Sequence, residues 1–96
     1  MATQWGAKEP QGIRDYGINW FERLGGIAII ESTWKLNGVE WVITELEKID
    51  STFTDTTTTV RVGGGTVGSD YLLTNHVKLA NGEEDEQSAK LKIQER

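Results

Sequence analysis

The chain carries one glycine pattern that is typical of a nucleotide-binding enzyme. Gly63, Gly65 and Gly68, in the stretch RVGGGTVGSD, fit the spacing G-x-G-x-x-G. In dinucleotide-binding folds, such glycines let a pyrophosphate approach the backbone at the start of a helix. An acidic cluster, Glu83 to Glu86, follows about twenty residues later, where the motif places its ribose-binding carboxylate. The pattern has this meaning only if a strand precedes the glycines and a helix follows them.

The residues after Gly68 predict a strand instead of a helix. In SDYLLTNHVKL, Tyr71, Leu73 and Val77 fall on one face of a chain that alternates with period two. We therefore interpret the glycines as a structural corner between two strands and expect no nucleotide or other cofactor. A tyrosine that begins a strand after such a corner resembles the tyrosine corner of immunoglobulin-like and fibronectin-type sandwiches. There, the tyrosine hydroxyl bonds to the backbone of the connection.

The other polar residues that could do chemistry have simpler interpretations. His76 is the only histidine; we expect it to be exposed, and no neighbouring carboxylate is evident for acid–base work. Glu83 to Glu86 predict a solvated hairpin end, because calcium loops need alternating ligands and a defined turn. Asn75 falls on the apolar face of its strand, so it must be hydrogen-bonded if it is buried. We expect no catalytic residue and no metal.

Length and composition restrict the class of protein further. Ninety-six residues make one domain, and a two-half nucleotide-binding fold needs more chain. The net charge is −5 and no basic patch is present, which argues against a nucleic-acid partner. No apolar run approaches the ~20 residues of a membrane span, so we expect no membrane partner. The absence of cysteine excludes disulfides and thiolate chemistry.

Five stretches from Ile27 onward predict strands. Apolar and polar residues alternate within them, and the dipeptides Asn37-Gly38 and Asn81-Gly82 are strong hairpin signals. Trp34 and Trp41, on either side of the first turn, are expected to fill the core. The five stretches are IAIIESTWKL, VEWVITELEKI, TTTTVRV, YLLTNHVKLA and EQSAKLKIQE. They predict an all-β protein, an immunoglobulin-like or fibronectin-like antiparallel β-sandwich over residues 27–96.

Residues 1–26 lack this alternation and are expected to form an extended N-terminal arm, with or without one strand in it. The stretch NWFERLGG predicts a short helix that Asn19 caps and Gly25 ends. Such a segment is expected to be loose in the free subunit. It holds the candidate contacts with a partner, which are Trp5, Trp20, Phe21 and Leu24. The alternative is that the arm folds back over its own sandwich.

The chain resembles a group of small virion proteins that phages and prophages encode. The resemblance covers roughly residues 15–95 and includes DYGINWFERL, IESTWKL and the long stretch from FTD onward. Its most specific pieces are FTD followed by the threonine run, and YLLTN after the glycine corner. The sequence departs from the group in two places. Asn19 precedes Trp20 where an acidic residue is usual, and the segment from Trp34 to Phe53 is long.

The resemblance implies a virion structural component with an immunoglobulin-like fold, and it supplies no catalytic residues. It implies partners among the portal, neck, tail or fibre proteins, and copies of the chain in a symmetric assembly. We predict a non-enzymatic adaptor in the neck or tail region that links larger components or fibres, made in the host cytoplasm and located in the virion. The alternatives are a capsid decoration protein and a carbohydrate-binding module. An exposed aromatic platform on a sheet face would favour the latter.

Overall fold

A computed structural model of the chain describes residues 3–6, 8–41 and 45–94. Within this part of the chain there are eight strands and one short helix, so the protein is nearly all β. In chain order the elements are β1 (Thr3–Gln4), β2 (Ile13–Asn19), α1 (Phe21–Leu24), β3 (Ile29–Leu36), β4 (Val39–Glu40), β5 (Leu46–Phe53), β6 (Thr57–Gly64), β7 (Asp70–Leu79) and β8 (Glu84–Lys92).

The strands form two sheets that pack as a sandwich. The larger sheet has the order β1-β8-β7-β3-β4 and the smaller one β2-β6-β5. Neighbouring strands are antiparallel, except that β1 runs parallel to β8. The β-sandwich prediction is confirmed. The orders β2-β6-β5 and β8-β7-β3 correspond to the B-E-D and G-F-C orders of immunoglobulin domains. This supports the immunoglobulin-like interpretation, which itself stays a prediction.

The alternation predicted for the last three strands is confirmed. A run of β-branched threonine and valine favours the extended backbone of β6. The turn at Asn37-Gly38 has φ angles of 50° and 84°, as a tight two-residue hairpin requires, and Asn81-Gly82 turns β7 into β8. The side chains predicted to face inward in or beside these three strands are all buried: Thr58, Val60, Val62, Tyr71, Leu73, Asn75, Val77, Leu79, Ala89, Leu91 and Ile93.

The face assignment at the start of β3 is wrong. Strict alternation through the first predicted strand, IAIIESTWKL, predicts Ile30 on the same face as Trp34, but Ile29 is the buried residue and Ile30 is 53% exposed. A β-bulge between Ile29 and Glu31 interrupts the pairing of β3 with β7. Because side chains alternate with period two, one extra residue moves every preceding side chain to the other face.

The second predicted strand, residues 39–49, is not continuous. β4 ends at Glu40 and β5 begins at Leu46. The alternation predicted for residues 42–44 lies outside the described residues. Trp41, between the two strands, is buried, as is Trp34, and this confirms the prediction for both. Trp41 Nε1 donates to the carbonyl oxygen of Leu46 at 3.0 Å, which fixes the start of β5.

Residues 13–24 belong to the sandwich, so the predicted division into an arm (1–26) and a domain (27–96) is wrong. β2 pairs with β6 along its whole length. Trp20 is fully buried and Leu24 nearly so, which means that the two parts share one core. The sequence does not locate this strand, because it is an edge strand and only Ile18 of its seven residues is buried. The predicted helix is present as α1, and Gly25 ends it with a φ of 58°.

The segment before β2 is also attached to the sandwich. β1 pairs in parallel with β8, and further along the chain the backbone N–H of Lys8 donates to the carbonyl oxygen of Lys92 at 2.9 Å. The Lys8 side chain is buried, and its Nζ donates to the carbonyl oxygens of Glu9 at 2.8 Å and Gly64 at 2.6 Å. Burial lowers the pKa of Lys8. These bonds hold the segment against the end of β6.

A buried polar network joins the two sheets through Asn75. Its Oδ1 accepts hydrogen bonds from Trp20 Nε1 at 3.0 Å and from Thr58 Oγ1 at 2.6 Å. Its Nδ2 donates to Ser32 Oγ at 2.9 Å and to the carbonyl oxygen of Thr33 at 3.0 Å. A carboxamide has two donor hydrogens and one oxygen that accepts two bonds, so all of its capacity is used. The prediction that a buried Asn75 is hydrogen-bonded is confirmed.

Thr58→Val is expected to lower the free energy of unfolding by about 1 kcal/mol, because it removes the hydroxyl that donates to Asn75 Oδ1. Thr59→Val is the matched control, since Thr59 is the next residue of β6 and points to the outer face; its effect should stay within about 0.5 kcal/mol. Urea unfolding of both variants measures the difference. Equal free energies of unfolding would contradict a stabilising role for the network.

Candidate functional site

The predicted glycine corner lies at one end of the sandwich. Gly63 lies inside β6, whereas Gly65 and Gly68 lie in the connection between β6 and β7. Gly65 has a φ of 106°, and a Cβ atom there would lie 2.7 Å from Ile93 Cδ1, so a larger residue does not fit. The next element is β7, a strand, and not the helix that a dinucleotide site requires.

The hydroxyl of Tyr71 stabilises this corner through two hydrogen bonds. It accepts a hydrogen bond from the backbone N–H of Thr66 at 3.2 Å, the contact that the tyrosine-corner interpretation requires. The same hydroxyl donates to Glu45 Oε1 at 3.1 Å. Since Glu45 directly precedes β5, the corner also links the larger sheet to the smaller one.

His76 has carboxylate partners that the sequence analysis missed. Its Nε2 lies 2.6 Å from Glu84 Oε1, and its Nδ1 lies 2.8 Å from Glu86 Oε2. Lys35 Nζ lies 3.6 Å from the same Glu86 oxygen. Hydrogen bonds to Glu84 and Glu86 raise the pKa of His76, and the bond to His76 lowers the pKa of Glu86. The partners could not be foreseen, because they follow from the pairing register of β7 and β8.

The acidic cluster is part of a strand, apart from its first residue. Glu84, Asp85 and Glu86 are the first residues of β8, directly after the turn of the β7–β8 hairpin, and Glu84 and Glu86 are exposed, as expected for a solvated hairpin end. Asp85 forms a bidentate ion pair with Arg23 of α1. Arg23 Nε donates to Asp85 Oδ2 at 2.7 Å and Arg23 Nη2 donates to Asp85 Oδ1 at 3.2 Å. Among the described residues, no group of His, Asp and Glu side chains is arranged to hold a metal ion.

The four candidate contact residues have different environments. Trp20 is fully buried and Leu24 is 5% exposed, so their assignment as partner contacts is wrong. Trp5 is half-buried, and its ring stacks on that of Tyr16 with centroids 4.7 Å apart. The N-terminal segment therefore folds back over its own sandwich, the alternative left open above. Phe21 is 63% exposed, and its role as a partner contact stays a prediction.

Other exposed apolar side chains were not found from the sequence. Ile30 is exposed because of the β-bulge, and no residue type marks a bulge. Phe53 is exposed because it ends β5, an edge strand. The large apolar side chains that are exposed within the described residues are Ile13, Phe21, Ile30, Val39, Ile49, Phe53 and Val67.

Tyr71→Phe is expected to lower the free energy of unfolding by about 1 kcal/mol or more, because it removes two hydrogen bonds at the corner. Tyr16→Phe is the matched control. The Tyr16 hydroxyl is buried and has no hydrogen-bond partner among the described residues, so its removal should be neutral or stabilising. The denaturation midpoints of both variants measure the effect, provided that the dependence of the unfolding free energy on denaturant concentration is the same as in wild type. Unchanged stability of Tyr71→Phe would show that the corner bonds contribute nothing.

His76→Gln is expected to destabilise the protein more at mildly acidic than at alkaline pH. The folded-state pKa of His76 lies above its usual value of 6.5, so the ion pairs contribute fully below 6.5 and their contribution is lost as the pH rises through the folded pKa. The lowered pKa of Glu86 keeps its carboxylate charged as the pH falls below the usual 4.5. Urea unfolding at several pH values, with Lys78→Gln as control, checks this. A pH-independent difference from wild type would contradict it.

Comparison with known proteins identifies the family. The family model described as "Podophage GP4 fiber-tail adaptor protein gp77" matches residues 8–92, which is most of the chain. A comparison with curated proteins finds no match. Within the described residues, no helix has the length and apolar character needed to cross a membrane. The matched region contains the strands of both sheets from β2 onward, α1, the glycine corner and His76. The chain therefore belongs to the family of the podophage GP4 fiber-tail adaptor protein gp77.

Proposed function

We propose that this protein is a non-enzymatic structural adaptor that joins a fibre to the tail of a phage particle. The observation that carries the proposal is the match of residues 8–92 to a family of fibre–tail adaptors. The adaptor binds its neighbours through its surface and transmits force through its fold. It is made in the host cytoplasm and becomes part of the virion.

The fold suits a rigid connecting piece. The chain measures 42 × 23 × 20 Å, so its two ends are well separated along the long axis. One end carries α1 and the turn at Asn81-Gly82, and the opposite end carries the glycine corner and the turn at Asn37-Gly38. An adaptor must contact two partners at once, and ends built from different connections can recognise different partners.

The alternative of a carbohydrate-binding module has less support. Such a module would present an aromatic platform on a sheet face. Trp20, Trp34 and Trp41 are buried, and Trp5 is half-buried in a stack with Tyr16. A capsid decoration protein would also be a structural subunit, but the family description names tail and fibre. The net charge of −5 speaks against a role in holding the genome.

Copies of the adaptor are proposed to surround the tail in a symmetric arrangement, as identical subunits of closed assemblies do. The edge strands of the smaller sheet, β2 and β5, are open to solvent and leave room for neighbours.

The test is a phage whose gene for this chain is deleted. Its particles are expected to contain filled heads and complete tails but no fibres, and added purified protein should restore the fibres. Negative-stain electron microscopy and quantitative mass spectrometry measure fibre occupancy. Fibres at the wild-type level in the deletion particles would contradict the proposal. Intact fibres together with fragile heads would favour the decoration alternative.

A further inference from the structure

We infer that the end of the sandwich that carries α1 is a docking surface for an apolar protein segment flanked by lysine or arginine. This surface, called the α1 end, consists of residues 20–30, 53–56 and 80–83. The inference rests on the proposed function and adds to it, because it states which surface one partner uses and what chemistry that partner presents.

Three exposed apolar side chains lie on chain segments that meet at the α1 end. The backbone N–H of Trp20 donates to the carbonyl oxygen of Thr56 at 2.7 Å, and that of Ile29 donates to the carbonyl oxygen of Asp55 at 3.0 Å. Phe21 and Ile30 directly follow these two donors in the chain. Phe53 is the last residue of β5, just before the β5–β6 connection that contains the two acceptors. Their exposed fractions are 63% for Phe21, 53% for Ile30 and 43% for Phe53. Exposed aromatic and aliphatic side chains grouped in this way are typical of binding anchors.

The α1 end is held in shape before any partner binds. Phe21 follows Trp20, whose indole is buried and donates to Asn75. The backbone N–H of Phe21 also donates to Asn19 Oδ1 at 2.9 Å. The backbone N–H of Ala80 donates to the carbonyl oxygen of Ala28 at 2.9 Å, so the turn between β7 and β8 is fixed to the same end. A preformed surface loses little conformational entropy on binding.

The charge of the α1 end indicates the chemistry of its partner. Glu22, Asp55 and Glu83 are exposed, and no basic side chain of the described residues forms an ion pair with them. Arg23, on the same helix, is already bound to Asp85. A segment with apolar residues between lysines or arginines would cover the apolar side chains and pair with these carboxylates.

A second copy of this chain is a poor occupant. In a two-fold contact through the α1 end, the same surface meets itself, so Glu22, Asp55 and Glu83 of both copies would come together. Like charges across an interface oppose association. The occupant is therefore a different protein of the particle.

The test compares two double variants, each of which replaces two exposed apolar side chains by serine. Phe21→Ser with Ile30→Ser removes two apolar side chains from the α1 end. Val39→Ser with Val67→Ser removes two from the opposite end, where these valines are 66% and 49% exposed. All four residues are exposed, so both double variants should unfold near the wild-type temperature. Each purified protein is added to particles of the deletion phage, and both its co-sedimentation with the particles and the fibre number are measured.

The α1-end variant is expected to need at least about tenfold more protein than wild type for half-maximal co-sedimentation or fibre recruitment, which corresponds to 1.4 kcal/mol. The control variant should behave as wild type. Glu22→Lys with Asp55→Lys should also weaken binding, most strongly at low salt, where charge attraction is least screened. Glu47→Lys is its control.

Equal behaviour of the α1-end variant and wild type in both measurements would overturn the inference, and so would equal losses for the two double variants. Self-association of the wild-type protein that the α1-end substitutions abolish would point to a second copy instead. If deletion particles keep their fibres, the proposed function is wrong. Co-sedimentation of the variants then still decides whether the α1 end is a docking surface.

Discussion

The fold depends on the carboxamide of Asn75. This side chain lies on β7, in the middle of the larger sheet, and bonds to Thr58 of the smaller sheet and to Trp20 in front of α1. A buried polar group left without a partner costs about 1–3 kcal/mol. The full set of bonds therefore forms only when the two sheets and the connection between β2 and β3 take one relative position. Hydrophobic contacts are tolerant of small shifts, whereas hydrogen bonds of defined length and direction are not.

Two further polar contacts restrict the relative position of the sheets near the end that carries the glycine corner. Tyr71 links the corner to Glu45 in front of β5, and the buried Lys8 links the N-terminal segment to the end of β6. Together with the Asn75 network, they connect the sheets at the middle and at one end of a body 42 Å long. A subunit that holds a fibre on a tail has to resist being sheared, and bonds between the layers oppose sliding of one sheet over the other.

An element could be predicted from the sequence where neighbouring residues define it, and could not where residues distant in the chain define it. β6, β7 and β8 could be predicted because each buries one complete face, and alternation is a local signal. β2 could not be located because only Ile18 along it is buried, so its pairing with β6 has no local signature. The partners of His76 depend on the β7–β8 register, and the exposure of Ile30 depends on a bulge. The bond from Trp20 to Asn75 joins residues 55 positions apart, a pairing that single residues do not reveal.

Trp20 and Phe21 show how the core determines the surface. They are adjacent aromatic residues at the start of α1, and the sequence alone gives no reason to expect one to be buried and the other exposed. The hydrogen bond from the Trp20 indole to Asn75 places that ring inside the sandwich, and the next side chain then points away from the core. The exposure of Phe21 is thus a consequence of the network. Substitutions that loosen Asn75 or Thr58 are consequently expected to disturb the α1 end as well as the stability. Only substitutions of the exposed side chains themselves can separate binding from folding.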